Sequence, residues 1–349
     1  MKRLLPSLLL ILIAALVSCH HADTWENNPE DNFDALWTTL DRHYCFFEQK
    51  GIDWDSIYRE YRPRVTPKTS AIDLYKICAE MLNELRDGHV NLVGWYDVSY
   101  YDKWWSDYPQ NYDERLVREH YLHFNDYRRN GLSYYMVGDS IGYLRYGSFS
   151  VAPGEGALNW ALAILRKCHG LIIDIRDNGG GNISYVETIV SRFIRERTLA
   201  GYISHKNGTG HNDFSEPYPF YYDPAPTGST MWYKPIVVLT NRSTFSAANN
   251  FVAVMSKLPH VTLIGDRTGG GSGMPFSSEM PIGWSVRFSS SPMYDADMHL
   301  TEEGIDPDIH IDLDPEQALK GIDTMLDKAI EYLEEKYNAS QHANEQHAN

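Results

Sequence analysis

The chain has 349 residues, of which 43% are hydrophobic and 13% aromatic, so it is long and apolar enough to form a sizeable buried core. Its formal net charge of −16 argues against nucleic acid or an anionic lipid surface as an electrostatic partner. The composition therefore predicts a globular protein with no nucleic-acid partner, although a local part of its surface can still be basic.

The first segment of the chain is typical of an export signal. Lys2 and Arg3 precede an apolar run over residues 4–17, which is too short for a comfortable membrane span. The run ends in the letters LVSC, and the last of these is Cys19. The pattern resembles a bacterial lipoprotein signal, in which cleavage leaves a lipid-modified cysteine at the new N-terminus. The alternative is an ordinary secretory signal with an incidental cysteine.

This interpretation predicts both a processing site and a location. We expect residues 1–18 to be removed, Cys19 to carry the lipid, and residues 19–30 to form a polar tether. The protein is then expected in the bacterial cell envelope, anchored to a membrane through lipid, with the outer membrane as the expected site. The remaining cysteines are odd in number, which excludes a complete disulfide framework, and they are expected to be buried apolar residues: Cys45, Cys78 and Cys168.

Apolar residues at helical spacing predict a small helical bundle over residues 31–88. Asp53 and Ser70 are candidate N-caps of successive helices, and the bundle is expected to end at His89. The apolar positions that carry the pattern are Phe33, Leu36, Trp37, Leu40, Ile57, Tyr58, Tyr61, Ile72, Leu74, Ile77, Met81 and Leu85.

The next segment, residues 89–138, is unusually aromatic and connects the bundle to a strand expected at Ile141. Such a cluster either packs as a cap or lines a cleft for an apolar peptide or a sugar. Its aromatic residues include Trp95, Tyr96, Tyr100, Tyr101, Trp104, Trp105, Tyr108 and Tyr112. Further along, His205 and His211 lie in one loop without an accompanying ligand set, so we predict neither a metal site nor a cofactor.

Two units of strand, loop and helix follow. In the first, residues 171–175 read as a buried strand, and the loop over 177–182 contains Gly179, Gly180 and Gly181 before a helix begins. Three consecutive glycines let the backbone approach a ligand closely and aim N–H groups at it. The loop lacks the lysine and hydroxyl pair of a phosphate loop. A plain tight connection is the alternative.

The second unit places a serine where a strand gives way to a helix. Residues 236–239 form an apolar run of strand length, and helical spacing starts at Phe245. The hydroxyl of Ser246 is therefore expected beside the first helical turn, whose unpaired N–H groups favour a developing oxyanion. We predict an oxyanion hole formed by the N–H of Gly180, or of an adjacent glycine, and the N–H of Ala247. Alternatively, Ser246 or Ser243 is merely the N-cap.

These segments together resemble the serine peptidase family that contains the C-terminal processing peptidases and the tricorn protease core. The resemblance covers most of the chain, and further strings that carry it are ELRDGHVNL at residues 84–92, DSIGYLRYGSF at 139–149, LIGDRTGGGSG at 263–273 and EEGIDPDI at 302–309. The family implies an α/β fold with a ClpP/crotonase-like spiral core of parallel strands and crossover helices, and the alternation of predicted strands and helices agrees with it. We expect this peptidase core over residues 139–337, behind the N-terminal helical bundle, with a final helix from Glu316 to about Tyr337 and a disordered tail over 338–349.

The family has two catalytic arrangements. Processing peptidases use a lysine in a glycine-rich loop after the serine, but Gly271 stands at or near that place here. The tricorn branch uses an upstream histidine as the base and a late carboxylate, which His89 and Glu302 match, with Glu303 as the fallback. An imidazole with an ordinary pKa near ~6.5 suits a general base at neutral pH. The alternatives to these catalytic roles are that His89 is a histidine at a helix end that bonds to backbone carbonyls, and that Glu302 and Glu303 are ordinary surface acids.

The predicted function is peptide-bond hydrolysis in the cell envelope through Ser246, His89 and Glu302. The expected partner is a peptide or an unfolded protein, and the oligomeric state is left open. About fifty residues separate His89 from Ile141, fewer than the peptide-binding PDZ module of processing peptidases needs, so we expect no such module. A non-catalytic peptide- or lipophile-binding protein on the same scaffold is the alternative, and an acyl-CoA enzyme of the crotonase kind is a more distant one.

Overall fold

Helices and strands alternate along the chain, as the sequence predicts. The computed structural model describes residues 24–138 and 140–348, and side chains up to residue 342, so the predicted signal and Cys19 lie outside the described residues. The helices are α1 (Pro29–His43), α2 (Trp54–Tyr61), α3 (Ala71–Asn83), α4 (Lys103–Ser106), α5 (Glu114–Leu116), α6 (Glu155–Leu165), α7 (Ser184–Val190), α8 (Ala247–Met255), α9 (Pro315–Ala318) and α10 (Thr324–Ala348). The strands are β1 (Asn91–Val93), β2 (Tyr127–Arg129), β3 (Leu132–Val137), β4 (Ile141–Tyr146), β5 (Gly170–Asp174), β6 (Thr198–Ile203), β7 (Tyr218–Tyr222), β8 (Ile236–Thr240), β9 (Val261–Gly265), β10 (Met274–Glu279), β11 (Ser285–Ser291), β12 (Met293–Tyr294) and β13 (Ile309–His310).

A seven-stranded sheet forms the centre of the molecule, in the order β13-β9-β8-β5-β4-β3-β2. The pairs from β13 to β4 are parallel, while β3 and β2 add an antiparallel edge. Every residue of β5 and β8 is buried, which explains their continuous apolar sequence. Because β5 and β8 are parallel neighbours, the loops that follow them leave the same edge of the sheet side by side.

Helices cover both faces of this sheet. Alternate residues of a strand face opposite sides, so Ile173 and Val238 pack under α6, α7 and α8. Ile172 and Val237 face the other side, where α10 packs. The crossovers from β4 to β5 and from β8 to β9 each contain one of the helices, as expected for parallel strands.

The N-terminal helices form a second core that is not continuous in sequence. Asp53 and Ser70 cap α2 and α3 through their side chains, as predicted. The apolar faces of α1, α2 and α3 pack against β1 and the β10–β11 hairpin, whose Trp284 and Phe288 are fully buried. Cys45, Cys78 and Cys168 are buried free thiols, consistent with a packing role. The β10–β11 hairpin thus completes the core of the helical bundle.

The segment between the bundle and β4 contributes to the central sheet. Its last part forms the β2–β3 hairpin, and β3 pairs along the whole of β4. This antiparallel pairing covers a sheet edge that would otherwise expose unpaired N–H and C=O groups. Residues 89–138 therefore include sheet structure as well as the aromatic stretch.

The C-terminal helix differs from the prediction at both ends. The predicted helix is interrupted at Gly321, whose φ of 81° is left-handed, so α9 and α10 are separate helices. Asp323 caps α10 by accepting hydrogen bonds from Met325 N and Leu326 N. The helix continues to Ala348 instead of ending near Tyr337. No glycine or proline follows Tyr337, and alanine, glutamate and glutamine favour helix, so the sequence contains no signal to end it.

Within the part of the chain that the structure describes, no helix combines the length and apolarity needed to cross a bilayer.

A buried ion network ties α10 to the central sheet. The guanidinium of Arg176 is fully buried, with Nη2 2.7 Å from Asp174 Oδ2 and Nη1 2.9 Å from Asp323 Oδ2. Tyr143 donates a further hydrogen bond to Asp174. Arg145 Nη1 lies 3.5 Å from Asp174 Oδ1, so two carboxylates face two arginine cations, and removing one carboxylate leaves a positive charge without compensation.

We expect Asp323→Ala to lower the free energy of unfolding by about 3–5 kcal/mol, because Arg176 loses a buried partner and α10 loses its cap. Asp323→Asn should cost less, since asparagine still caps the helix. Urea unfolding followed by circular dichroism measures both, with the exposed Glu331→Gln as control. A loss under about 0.5 kcal/mol in the alanine variant would contradict the anchoring role.

Candidate active site

Ser246 occupies a strained turn between β8 and α8. Its backbone has φ 58° and ψ −121°, and its side chain makes no capping hydrogen bond to α8. Ser246 N donates to Gly270 O at 2.8 Å, which fixes the turn from the other side. Ser246 thus stands at the N-cap position of α8, but its hydroxyl does not cap the helix and contacts a histidine side chain instead.

His89 lies against that hydroxyl. Its Nε2 is 2.9 Å from Ser246 Oγ, and the ring is 97% buried beside the ring of Phe245. The backbone N–H of His89 donates to Asp87 Oδ1 at 2.7 Å, and Asp87 Oδ2 accepts from the hydroxyl of Tyr44 at 3.0 Å. Asp87 is itself buried. The backbone around the imidazole is thus held by two hydrogen bonds that lead back into the helical bundle.

The environment of His89 favours the neutral imidazole. The pKa of His89 is lowered to about 4, chiefly by burial; Asp87 opposes this effect, and the charges of Arg287 and Lys50 contribute to the lowering. At pH 7 the ring is therefore neutral and can accept a proton. Among the described residues, Nδ1 of the ring has no hydrogen-bond partner. A neutral ring with Nδ1 protonated leaves the Nε2 lone pair for the hydroxyl of Ser246.

Glu302 is buried near this pair but does not bond to the imidazole directly. Its Oε1 is 2.9 Å from Lys50 Nζ, and its Oε2 accepts from Ser272 N at 2.9 Å. Burial raises the pKa of Glu302 to about 7, and Asp87 adds to the rise, while Lys50 opposes it. Glu303 is exposed instead. Of the two predicted glutamates, only Glu302 is directed into the protein at this place.

The glycine loop lies against the serine. A Cβ on Gly180 would fall 2.7 Å from Ser246 Cβ and 2.9 Å from Ala247 N, so only glycine fits there. However, Gly180 N donates to Asn178 Oδ1 at 3.0 Å, which corrects the expectation of a free donor at that residue. The side-chain amide of Asn178 thus bonds within its own loop through Oδ1, and its Nδ2 donates to Tyr146 O at 2.7 Å. Ala247 N is at the start of α8, where helical N–H groups lack intrahelical acceptors.

The second glycine-rich loop leaves no room for a lysine. A Cβ on Gly271 would fall 2.4 Å from the ring of Phe245, and the φ of Gly271 is 77°. A longer side chain at this position would have to displace the aromatic ring that packs under His89. The structure therefore agrees with the sequence argument that the base does not come from residue 271.

Two cavities flank Ser246. One of about 500 Å³ is bounded by the glycine loop and by Tyr100, Tyr101 and Trp105, while Trp104 stacks on Phe245 with ring centroids 4.0 Å apart. The aromatic segment therefore does both things proposed for it, since it packs and also lines the cleft. The other cavity, of about 270 Å³, lies under α8 and has apolar walls that include Met274 and Met293.

The histidines of the 205–211 loop have other partners. His205 Nδ1 is 2.9 Å from Ser291 Oγ, and its Nε2 bonds to Tyr218. His211 Nε2 is 2.7 Å from Asp41 Oδ1, which ties the loop to α1. Within the described residues, neither histidine belongs to a group of potential metal ligands.

Several residues of the site were missed by the sequence argument. Asp87 precedes His89 in the letters RDGH and could have been found from that spacing. Asn178 opens the glycine loop, where an amide side chain is a common turn-former. Lys50 and Arg287 are distant in sequence from the serine, and nothing in the local pattern marks them.

Comparison with known proteins gives consistent relatives. The sequence profile of peptidase family S41 matches residues 140–311, and that of the tricorn protease C1 domain matches residues 26–83. A solved structure of a putative peptidase from Parabacteroides merdae is 46% identical, with a TM-score of 0.84 over 88% of this chain and 97% of that one. The α/β fold class with its N-terminal helices is thereby confirmed.

Two curated proteins are also similar. A putative tricorn-like protease C-terminal subunit from Sulfurisphaera tokodaii is 33% identical over 58% of this chain and 23% of its own length. The carboxy-terminal processing protease CtpB from Bacillus subtilis is 28% identical over 38% of this chain and 26% of its own length. The chain thus spans about a quarter of the length of each of these relatives.

We expect the imidazole of His89 to stay neutral well below the ordinary histidine pKa, with a midpoint near pH 4, because the ring is buried. NMR of selectively labelled histidine measures this directly, with His89→Gln to assign the signal and the exposed His299 as an internal control. A midpoint at 6.5 or above for His89 would contradict the burial argument.

Proposed function

The chain belongs to peptidase family S41, whose members are serine-type peptidases. We propose that Ser246 is its nucleophile and His89 its general base. The observation that carries the proposal is the contact of 2.9 Å between His89 Nε2 and Ser246 Oγ, in a cleft between two cavities. A serine hydroxyl is a weak nucleophile until a neighbouring base takes its proton. The neutral imidazole is suited to do so.

The proposed reaction follows from this geometry. As Ser246 Oγ attacks the carbonyl carbon of the scissile bond, its proton passes to His89 Nε2, and the carbonyl oxygen becomes an oxyanion. The N–H of Ala247 and one N–H of the glycine loop, from Gly180 or an adjacent glycine, stabilise that charge. His89 then protonates the leaving amine, and water releases the acyl group by the reverse sequence. For Gly180 to serve, its N–H must leave Asn178, so substrate binding is proposed to reorient that amide.

Glu302 is proposed to support the base through charge. When His89 becomes imidazolium, its positive charge favours the ionised form of Glu302, and this carboxylate, held by Lys50 and Ser272 N, stabilises the cation. Asp87 is proposed to act on the same cation, because it lies in the loop that positions His89. Since Glu302 has no direct bond to the imidazole, it is expected to matter less than a carboxylate that binds the ring.

The proposed substrate is a peptide or an unfolded segment of protein. The larger cavity beside Ser246 is open and lined by aromatic rings and glycine backbone, which suits an extended chain. The alternative, a non-catalytic scaffold that binds a peptide or lipophile, would leave the alignment of Ser246 and His89 without a use. No cofactor is part of the proposal.

We further propose that the protein works in the bacterial cell envelope, held by lipid on Cys19. Support comes from the basic residues, the short apolar run and the cysteine that begin the sequence. Among the described residues the first helix begins at Pro29, so a tether of about ten residues would separate the lipid on Cys19 from that helix. Membrane binding in this proposal depends on the acyl chains.

We predict that Ser246→Ala abolishes peptide hydrolysis and that His89→Ala reduces kcat/KM by on the order of 10³-fold or more, because each removes a member of the proton-transfer pair. Glu302→Gln should reduce kcat/KM less than His89→Ala does, since it leaves the base in place. Hydrolysis of a fluorogenic peptide library measures all three, and circular dichroism checks the fold.

Ser243→Ala, the neighbouring serine, is the matched control and should keep near-normal turnover. Full activity in Ser246→Ala would discard this nucleophile. Peptide binding without hydrolysis by the unaltered protein would favour the scaffold alternative.

Replacing Cys19 by serine should release the protein from membranes into the soluble envelope fraction, because anchoring then has no acyl chain. Fractionation with metabolic labelling by a clickable palmitate analogue measures both position and lipid. Cys168→Ser, which alters a buried thiol, is the control and should stay anchored. An unaltered protein that is wholly soluble and unlabelled would refute the lipoprotein proposal.

A further inference from the structure

Both cavities beside Ser246 share an arginine that the proposed chemistry does not use. Arg287 lies in β11, opposite Asn91 of β1 and Ser277 of β10. Asn91 follows His89 by two residues, and cross-strand partners project on the same face of a sheet. Because β11 pairs with β1 just after His89, the side chain of Arg287 lies in the cleft and lines both cavities.

The charge in the cleft is opposite to that of the whole protein. Among the described residues that line the two cavities there is no aspartate or glutamate, and Arg287 is the one side chain with a permanent charge. The neutral imidazole of His89 adds none at pH 7. In a chain with a formal charge of −16, this leaves a local positive site next to the nucleophile.

Arg287 also lacks a close anionic partner. Its hydrogen bond from Nη1 to Asn91 Oδ1 is long, at 3.4 Å, and no ion pair within the described ranges includes it. Partial burial lowers the pKa of Arg287, while the charge of Asp87 opposes that effect. A partly buried guanidinium without a carboxylate is poorly compensated, and a bidentate carboxylate is the ligand that matches its geometry.

We propose that Arg287 binds a carboxylate of the substrate beside the scissile bond and so sets the substrate preference. The inference rests on the proposed peptidase function. Two sources can supply this chemistry: an acidic side chain next to the cleaved bond, or the C-terminal carboxylate of a substrate cut close to its end. Substrates with a neutral amide in the same position lose the charge-assisted hydrogen bonds.

The test uses peptide pairs that are identical except for one carboxylate. One pair carries glutamate or glutamine next to a bond that the protein cleaves, and the other has a free or an amidated C-terminus within two residues of that bond. At pH 7.5 we expect kcat/KM to favour the carboxylate in one pair by about tenfold or more, which is the range of one charge-assisted hydrogen bond. The pair that responds identifies the source.

Variants of Arg287 then assign the preference. Arg287→Gln should reduce the ratio to within about twofold, Arg287→Lys should retain part of it, and Arg287→Glu should favour a lysine substrate instead. The matched control is Arg197→Gln, an exposed arginine that lines neither cavity and should leave the ratio unchanged. A general loss of activity at constant ratio would indicate a structural role and overturn the proposal.

A second measurement separates this inference from the proposed function. Calorimetry of the same peptides with Ser246→Ala measures the carboxylate preference in binding alone, and the preference should disappear when Arg287→Gln is added. Ser246-dependent hydrolysis with equal rates for every pair would refute the role of Arg287 and leave the peptidase intact. Carboxylate-selective binding without Ser246-dependent hydrolysis would refute the proposed peptidase function and leave the role of Arg287 in binding intact.

Discussion

The site depends on the backbone of Ser246, which is held in a conformation that an L-residue adopts only at a cost. Two neighbouring loops hold it there, the glycine loop after β5 and the loop after β9. Gly270 O accepts its N–H, Gly180 packs against its Cβ, and Asn178 O accepts the N–H of Phe245 just before it. These contacts exist because β5 and β8 are adjacent parallel strands, so the loops after them meet at one edge of the sheet. In the same turn the hydroxyl contacts His89 instead of capping α8, and Ala247 N stands at the helix start.

Phe245 links this turn to the rest of the cleft. Its ring lies 4.8 Å from the imidazole of His89, stacks on Trp104 and fills the space that a side chain at Gly271 would need. One aromatic side chain thus supports the base, fixes one wall of the cleft and excludes the lysine arrangement of the processing peptidases. His89, the proposed base, is held in place from the helical bundle through Asp87 and Tyr44, so the bundle is part of the site.

The sequence predicts those parts of the structure that local chemistry determines. The buried strands before the glycine loop and before Ser246 are continuous apolar runs, and the caps at Asp53 and Ser70 follow from their residue types. The pairing of His89 with Ser246 was expected from the resemblance to a family, since nothing local brings together residues so far apart in the chain. The sequence also predicts that the glycine loop lies beside Ser246, and in the structure Gly180 packs against that serine.

Other features depend on tertiary contacts and could not be predicted. The bond from Gly180 N to Asn178 depends on how one side chain folds over its own loop. The contact between Lys50 and Glu302, and the position of Arg287, arise where the β10–β11 hairpin completes the core of the N-terminal bundle. The start of the C-terminal helix could not be predicted because its docking, through Asp323 and Arg176, is formed by residues far apart in sequence.

The central claim is that Ser246 is a nucleophile activated by His89, and reaction with an active-site-directed peptidyl phosphonate tests it most directly. Tandem mass spectrometry of the digested protein distinguishes Ser246 from Ser243 within one peptide. One adduct is expected, on Ser246, and it should form far more slowly when His89 is replaced by alanine. An adduct on another residue, or peptide hydrolysis by protein that the phosphonate does not label, would contradict it.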